Sequence, residues 1–280
     1  MKIYNNIEQL REAIKNAERP IGLVPTMGFL HQGHLALINQ AKKDNKTVIV
    51  TIFVNPTQFG PNEDYEKYPR DIDHDINLLK SLETNFVFIP ERESLYTENH
   101  NTWVNVEKLD EKLEGHFRPN HFKGVATIVL KLLNITTPDN AYFGQKDAQQ
   151  VQIIKQMVAD LNLSIKINSI PTVREYDGLA LSSRNVYLTK DERKSAKEIY
   201  QSLLLAQTLF EKGINNAEII KKNVSDHIIK NIKNSKIDYV SITQESSLED
   251  LQTIKDSALL SIAVHVGKTR LIDNLILSKK

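Results

Sequence analysis

Eight consecutive residues, Thr47-Val48-Ile49-Val50-Thr51-Ile52-Phe53-Val54, carry no charge and stop at Asn55-Pro56. A continuous β-branched and apolar run of this kind suits a strand buried on both faces, as in a parallel sheet. The segments around it repeat the theme. Ile21-Gly22-Leu23-Val24, closed by Pro25, reads as the first buried strand, and a helical pattern follows through Leu35, Leu37, Ile38 and Ala41. A helix with Ile72, Ile76, Leu79 and Leu82 leads to Phe86–Ile89. A helix with Val125, Ile128, Val129, Leu132 and Leu133 leads to Ala141-Tyr142-Phe143, and one with Val151, Ile154, Met157, Val158 and Leu161 leads to Ile165–Ile170. Strand and helix in alternation predict an α/β fold with a doubly wound, Rossmann-like parallel sheet.

The pattern changes after Arg174. Two long helical stretches, about 190–212 and 216–233, precede strand-like segments at Ile237–Ile242, Ala258–Val266 and Asn274–Leu277, which predicts a smaller α+β unit. The loop Glu175-Tyr176-Asp177-Gly178 is the expected boundary, dividing residues 1–175 from 176–280.

Composition narrows the function. Lys and Arg number 36 against 35 Asp and Glu, so clustered positive charge for nucleic acid is not expected. There is no cysteine, which removes disulfides, thiolate nucleophiles and Cys-based zinc sites. The start, Met1–Asn6, turns polar at once, and no apolar run nears the roughly 20 residues of a membrane helix. These features lead to the expectation of a cytoplasmic protein without membrane or nucleic-acid partners.

The strongest chemical signal is Pro25-Thr26-Met27-Gly28-Phe29-Leu30-His31-Gln32-Gly33-His34, running from a strand end into a helix start. Ligands of open α/β sheets bind beyond the carboxyl ends of strands. A helix start adds free N–H groups and a positive dipole end, which suits phosphate. His31 and His34, three apart, face the same way on one helical turn. Gly33 between them lets a flat base or ribose approach the backbone. A chance His-x-Gly-His is expected only about 0.01 times in a chain of this composition.

His-x-Gly-His at this place resembles the nucleotidyltransferase superfamily, which includes class I aminoacyl-tRNA synthetases and adenylyltransferases. The longer phrase from Val24 to His34 is similar to the pantothenate synthetase (pantoate–β-alanine ligase) family. Further matching blocks follow in order: Phe53–Phe59, Tyr68-Pro69-Arg70, Arg118–Phe122, Phe143–Gln150, Asp177–Asn185 and Arg270–Asn274. The resemblance implies an enzyme that adenylates pantoate with Mg-ATP, releases pyrophosphate and lets β-alanine displace AMP. It also implies a homodimer.

Carried over residue by residue, the resemblance assigns nucleotide contacts to Met27, Gly28, Phe29, Leu30, His31, Gln32, Gly33 and His34, with His34 the proton donor. It assigns further nucleotide contacts to Gly144, Gln145, Lys146, Asp147, Val173, Leu181, Ser182, Ser183 and Arg184. Such chemistry needs fixed donors and cations around the phosphates rather than a protein nucleophile. Lys146 supplies an ammonium, and Ser182-Ser183-Arg184 resembles a flexible second phosphate loop, with two hydroxyls and a guanidinium as donors. Asp147 would reach the ribose hydroxyls, although Asp147 with Gln150 also reads as a helix N-cap pair. Val173 and Leu181 would meet adenine through the backbone.

The resemblance places Gln58 and Gln150 on pantoate, with Gln58 also on β-alanine, and Asp75 near the magnesium. Asp71 and Asp73 read as helix-start acids. The chain departs from the family at Gln145, commonly Glu, and at Thr57, commonly apolar. His265 reads as a core histidine in a strand, and Trp103 as strand packing. Other readings stay open at this stage: a nucleotidyltransferase acting on a phosphorylated metabolite, a tRNA synthetase relative, or a non-catalytic nucleotide-binding protein on the same fold.

Overall fold

The computed structural model describes residues 1–61 and 63–279. In chain order its elements begin with β1 (Lys2–Tyr4), α1 (Ile7–Lys15), β2 (Ile21–Thr26), α2 (Gln32–Asp44), β3 (Thr47–Ile52), α3 (Ile72–Ser81) and β4 (Phe86–Phe88). Then follow the single turns α4 (Arg92–Leu95) and α5 (Glu114–Phe117), α6 (His121–Thr136), β5 (Asn140–Gly144), α7 (Ala148–Asp160) and β6 (Lys166–Ile170). The remainder is α8 (Lys190–Ala196), α9 (Glu198–Glu211), α10 (Ala217–Asn231), β7 (Ser235–Thr243), β8 (Ser257–Val266) and β9 (Thr269–Ser278). Short 3₁₀ turns occupy Pro56–Gln58, Gln145–Asp147 and Ser183–Tyr187.

The six strands β1 to β6 form one parallel sheet in the order β1-β4-β3-β2-β5-β6. All of β3 is buried, as its apolar run requires. Alternate side chains serve opposite faces: Ile49 joins the core with Leu10, Phe122 and Leu133, while Val48, Val50 and Ile52 join Ile38, Leu79 and Tyr142. From β2 the chain steps outward through β3 and β4, then crosses back to lay β5 on the other side of β2. The winding direction therefore reverses between β2 and β5, and the crevice at their carboxyl ends is where such sheets hold ligands.

Ile21–Thr26 is the second strand of the sheet, not the first. Lys2–Tyr4 precedes it on the edge, too short and too exposed to stand out as an apolar run. The helical stretch expected at 190–212 is divided at Lys197 into α8 and α9. Strands β7, β8 and β9 make an antiparallel sheet, with β9 starting early enough to contain Arg270–Asn274. Its core gathers Leu203, Phe210, Val224, Ile228, Leu260 and Ile262, while Leu248 and Leu259 reach over to the core of the large sheet.

Trp103 corrects another expectation, since it lies outside any strand. Its ring stacks on Tyr96 at 6.2 Å, with the Lys123 ammonium 5.4 Å from its centre. His265 does lie in a strand, but its Nε2 is 3.1 Å from Asp238 and its side chain is part-exposed. The two sheets meet through buried charge. Glu114 accepts from both terminal nitrogens of Arg270 (2.6 and 2.8 Å) and from the Tyr239 hydroxyl (2.9 Å). Removing one partner from a pair this buried would leave an uncompensated charge, so the junction favours one relative placement.

Candidate active site

The start of α2 organises the first part of the crevice. Gly28 (φ +81°) and Phe29 (φ +50°) turn the chain sharply out of β2. The Asp75 carboxylate, fully buried on α3, accepts the Phe29 N–H (2.8 Å) and the Leu30 N–H (2.6 Å). A side chain on Gly28 would sit 2.9 Å from an Asp75 oxygen. Asp75 therefore props the turn, and it does not border the crevice as its expected place beside magnesium would require. Asp71, by contrast, caps α3 by accepting the His74 N–H at 3.0 Å.

His31 is the N-cap of α2, and the two histidines cap the helix reciprocally. His31 Nδ1 accepts the Gly33 N–H (3.1 Å), and His34 Nδ1 accepts the His31 N–H (3.2 Å). With each Nδ1 an acceptor, the proton of each neutral ring sits on Nε2. Burial, helped by the nearby Lys146 charge, lowers the His31 pKa to about 4. Burial, helped by His31 and Lys146, lowers that of His34 to about 3. At neutral pH both are uncharged imidazoles offering Nε2–H donors. Gly33 has a reason beyond ligand approach: a Cβ there would lie 2.9 Å from His31 Cε1.

A cavity of about 240 Å³ opens at the ends of β2 and β5. It brings together Met27, His31, Gly33 and His34 with Gln58, Gly144, Lys146, Asp147 and Gln150, and with Val173, Leu181, Ser182, Ser183 and Arg184. Gly28, Phe29, Leu30, Gln32 and Gln145 do not line it. Gly28 to Leu30 build the turn beneath, Gln32 faces solvent, and the Gln145 amide oxygen accepts from Ser169 Oγ at 2.7 Å. Phe53, Val125, Ile128, Val129 and Phe143 make much of the remaining wall apolar.

Lys146 sits on the 3₁₀ turn after β5, with its ammonium 3.3 Å from an Asp147 oxygen. Asp147 occupies the N-cap position of α7, as the capping alternative expected, but its side chain makes no capping hydrogen bond. A Cβ on Gly144 would meet nothing within 4 Å, leaving open room beside the strand end. The Ser182–Asn185 segment is a formed turn in this structure. Ser182 Oγ accepts the Arg184 N–H (3.3 Å), and Arg184 grips Asp64 through two bonds of 2.9 and 2.8 Å. The Leu181 N–H is committed to the Val173 carbonyl at 3.0 Å.

Gln58 is oriented by Asn55 and His121. The Asn55 amide donates to Gln58 Oε1 (3.1 Å), which turns the Gln58 Nε2 toward Met27 Sδ (3.2 Å). His121 Nδ1 donates to the Gln58 carbonyl at 2.7 Å, and its Nε2 accepts from Arg118 Nη1 at 3.0 Å. Burial and then Arg118 lower the His121 pKa to about 4. Arg118 is gripped by Glu63 through bonds of 2.7 and 2.6 Å. Asn55, Arg118 and His121 all line the cavity. Thr57 does not: its hydroxyl bonds Asn55 Oδ1 at 3.0 Å and meets the Tyr96 hydroxyl at 3.2 Å. The departure at Thr57 is thus accommodated behind the wall. Their positions within Phe53–Phe59 and Arg118–Phe122 were the available signal.

Comparison with known proteins places the chain in a family. The family model described as pantoate-beta-alanine ligase matches residues 2–276. A pantothenate synthetase of Acetivibrio thermocellus is 50% identical over 279 residues, covering 99% of each chain. One from Thermoanaerobacter is 52% identical, covering 99% of this chain and 98% of its own. The crystal structure of pantothenate synthetase from Thermus thermophilus superposes with a TM-score of 0.93 at 39% identity, covering 98% of this chain and 99% of that one. The Francisella tularensis pantoate-beta-alanine ligase, complexed with beta-gamma ATP and beta-alanine, gives a TM-score of 0.81 at 38% identity, covering 99% and 97%. The His-x-Gly-His helix start, the lysine turn and the paired glutamines thus lie within a match that runs nearly from end to end, and the chain belongs to the pantoate–β-alanine ligase family.

Proposed function

We propose that this chain condenses pantoate with β-alanine at the expense of ATP, giving pantothenate, AMP and pyrophosphate through a bound pantoyl adenylate. One observation carries the reading. Two neutral Nε2–H donors, the Lys146 ammonium and the Ser182–Arg184 donors converge on one cavity that also contains two side-chain amides, Gln58 and Gln150.

In the first step the pantoate carboxylate attacks the α-phosphorus and pyrophosphate departs. Negative charge grows on the phosphate oxygens, and preorganised donors are most effective where charge develops. His31 and His34 donate through Nε2–H, with His34 the principal donor. Lys146 meets the charge that builds as pyrophosphate leaves, and Ser182, Ser183 and Arg184 hold the outer phosphates once Arg184 exchanges Asp64 for them. Asp147 takes the ribose. Adenine lies by Val173 and Leu181 and uses backbone groups other than the committed Leu181 N–H.

Gln58 and Gln150, each both donor and acceptor, hold the hydroxyl groups of pantoate. In the second step the β-alanine amine attacks the acyl carbon and AMP leaves. Gln58 stands at the junction of the acyl and amine sites. Magnesium would enter on the nucleotide, with phosphate and water supplying most of its ligands. Asp75, which the resemblance places near the magnesium, accepts one N–H on each of its oxygens beneath the Phe29–Leu30 turn, which leaves each oxygen a second lone pair.

Residues 1–175 form the catalytic part and 176–280 the lid. A cytoplasmic homodimer completes the proposal. Among the described residues no helix is long and apolar enough to cross a membrane. The test is pyrophosphate release from ATP with a panel of small hydroxy acids. Pantoate alone should give a signal, and strong release with a different acid would redirect the assignment.

A further inference from the structure

Lys146 occupies a turn with little of its own to fix it. Asp147, the N-cap of α7, has φ −101° and ψ 56° and makes no side-chain capping bond, so the helical pattern of α7 does not run on through the Gln145–Asp147 turn. Gly144 on the other side has open space around its Cα. Two contacts pin the turn from outside. Ser169 Oγ on β6 holds the Gln145 side chain. The Asn274 amide nitrogen on β9 donates to two successive carbonyls, those of Gln145 and Lys146, both at 2.9 Å.

Asn274 is itself held. It is nearly fully buried. Its backbone N–H donates to Asp273 Oδ1 at 2.8 Å, and Asp273 takes Arg174 Nη1 at 2.6 Å and Nη2 at 3.0 Å. The Arg174 guanidinium lies 3.8 Å from the centre of the Tyr200 ring on α9. A continuous chain of contacts therefore runs from α9 through Arg174 and Asp273 to Asn274 and the catalytic lysine. A neutral amide suits this place, because its two N–H bonds can address two carbonyls at once.

We propose that Asn274 is a positioning residue for Lys146, transmitting the placement of the C-terminal sheet to the phosphate-facing ammonium. The proposal rests on the role given above to Lys146. A small shift of the turn moves the ammonium relative to the departing pyrophosphate, and misplacement by about 1 Å can reduce a rate by 10²-fold. Because Asn274 touches the turn's backbone and does not line the cavity, its loss should lower the rate of adenylation more than the binding of ATP.

The experiment is a double-mutant cycle read by pantoate-dependent pyrophosphate–ATP exchange, with thermal melting as a fold control. Asn274→Ala and Asn274→Leu differ in volume but both lose the amide. Each should lower the exchange kcat about tenfold or more, leave the ATP KM within about twofold, and add little in a Lys146→Ala background. Equal losses in the presence and absence of Lys146 would overturn the proposal, as would near-normal kcat in either folded variant. If Lys146→Ala itself exchanged normally, the catalytic role of Lys146 would fail instead, which separates the two readings.

Discussion

The start of α2 and the turn after β5 both face the same crevice, yet they are built in opposite ways. At α2 the decisive bonds are local: His31 to Gly33 and His34 back to His31, all within four residues. Asp75, 45 and 46 positions away, is the long-range prop beneath them. Around the lysine turn and the Ser182–Arg184 turn the bonds span the chain. Asn274 reaches back 128 and 129 positions, and Arg184 reaches Asp64 across 120. A helix start can be specified by side chains in its own first turn, because orphan N–H groups and their acceptors are adjacent. A 3₁₀ turn on a flexible glycine cannot, so its geometry is delegated to the other sheet.

Breaking the local half should hurt chemistry far more than stability. His34→Ala is expected to slow adenylation by about 10²–10³-fold, the usual effect of losing a transition-state donor. It also removes one capping acceptor, worth about 1 kcal/mol, so thermal unfolding should shift only modestly. Near-normal pyrophosphate release by the purified variant would show that His34 serves the helix alone. Next in size, Lys146→Ala should slow single-turnover formation of pantoyl adenylate at saturating ATP by about 10²-fold. A change confined to apparent ATP affinity would make Lys146 a docking group only.

Asp75→Ala probes the prop under the local half. It would leave the Phe29 and Leu30 N–H groups without their buried acceptor, at a cost of about 1–3 kcal/mol. Urea unfolding should record that loss, with slower exchange following from a loosened turn. Unchanged stability would mean that the His31–His34 cap supports itself without help.

A further effect concerns pH. His31, His34 and His121 have folded pKa values of about 4, about 3 and about 4, below the ordinary histidine value near 6.5. The unfolded chain therefore binds more protons between these limits. Stability contributed by the neutral rings is fully present above pH 6.5 and is lost as pH falls toward 4. His121→Gln should make the pH dependence of urea unfolding shallower in that window. Histidine NMR should show the three rings neutral at pH 6, and a normal titration near 6.5 would contradict the burial-lowered pKa values.

The contrast also explains what could be read in advance. The fully buried β3 announced itself through eight uncharged residues, and β2 through its junction with Pro25, so the parallel sheet was visible. β1 was not, because an edge strand of three residues has no periodicity to detect. His31, His34, Lys146 and Arg184 sit in compact motifs that can be read from the sequence, and all four line the cavity. Their supports were harder to see. Asn274 and Asp64 are ordinary polar residues whose roles exist only once distant segments meet. Asp75 belongs with them, since nothing in a helix-start acid reveals that it accepts N–H groups from another loop.

The central claim is a two-step ligase whose first step needs Mg-ATP, pantoate and the crevice described, but not β-alanine. Isotope exchange between labelled pyrophosphate and ATP tests it most directly. Exchange should proceed with pantoate present and β-alanine absent, and Gln58→Ala should impair both this exchange and amide formation from supplied pantoyl adenylate. Exchange that strictly required β-alanine would contradict the account.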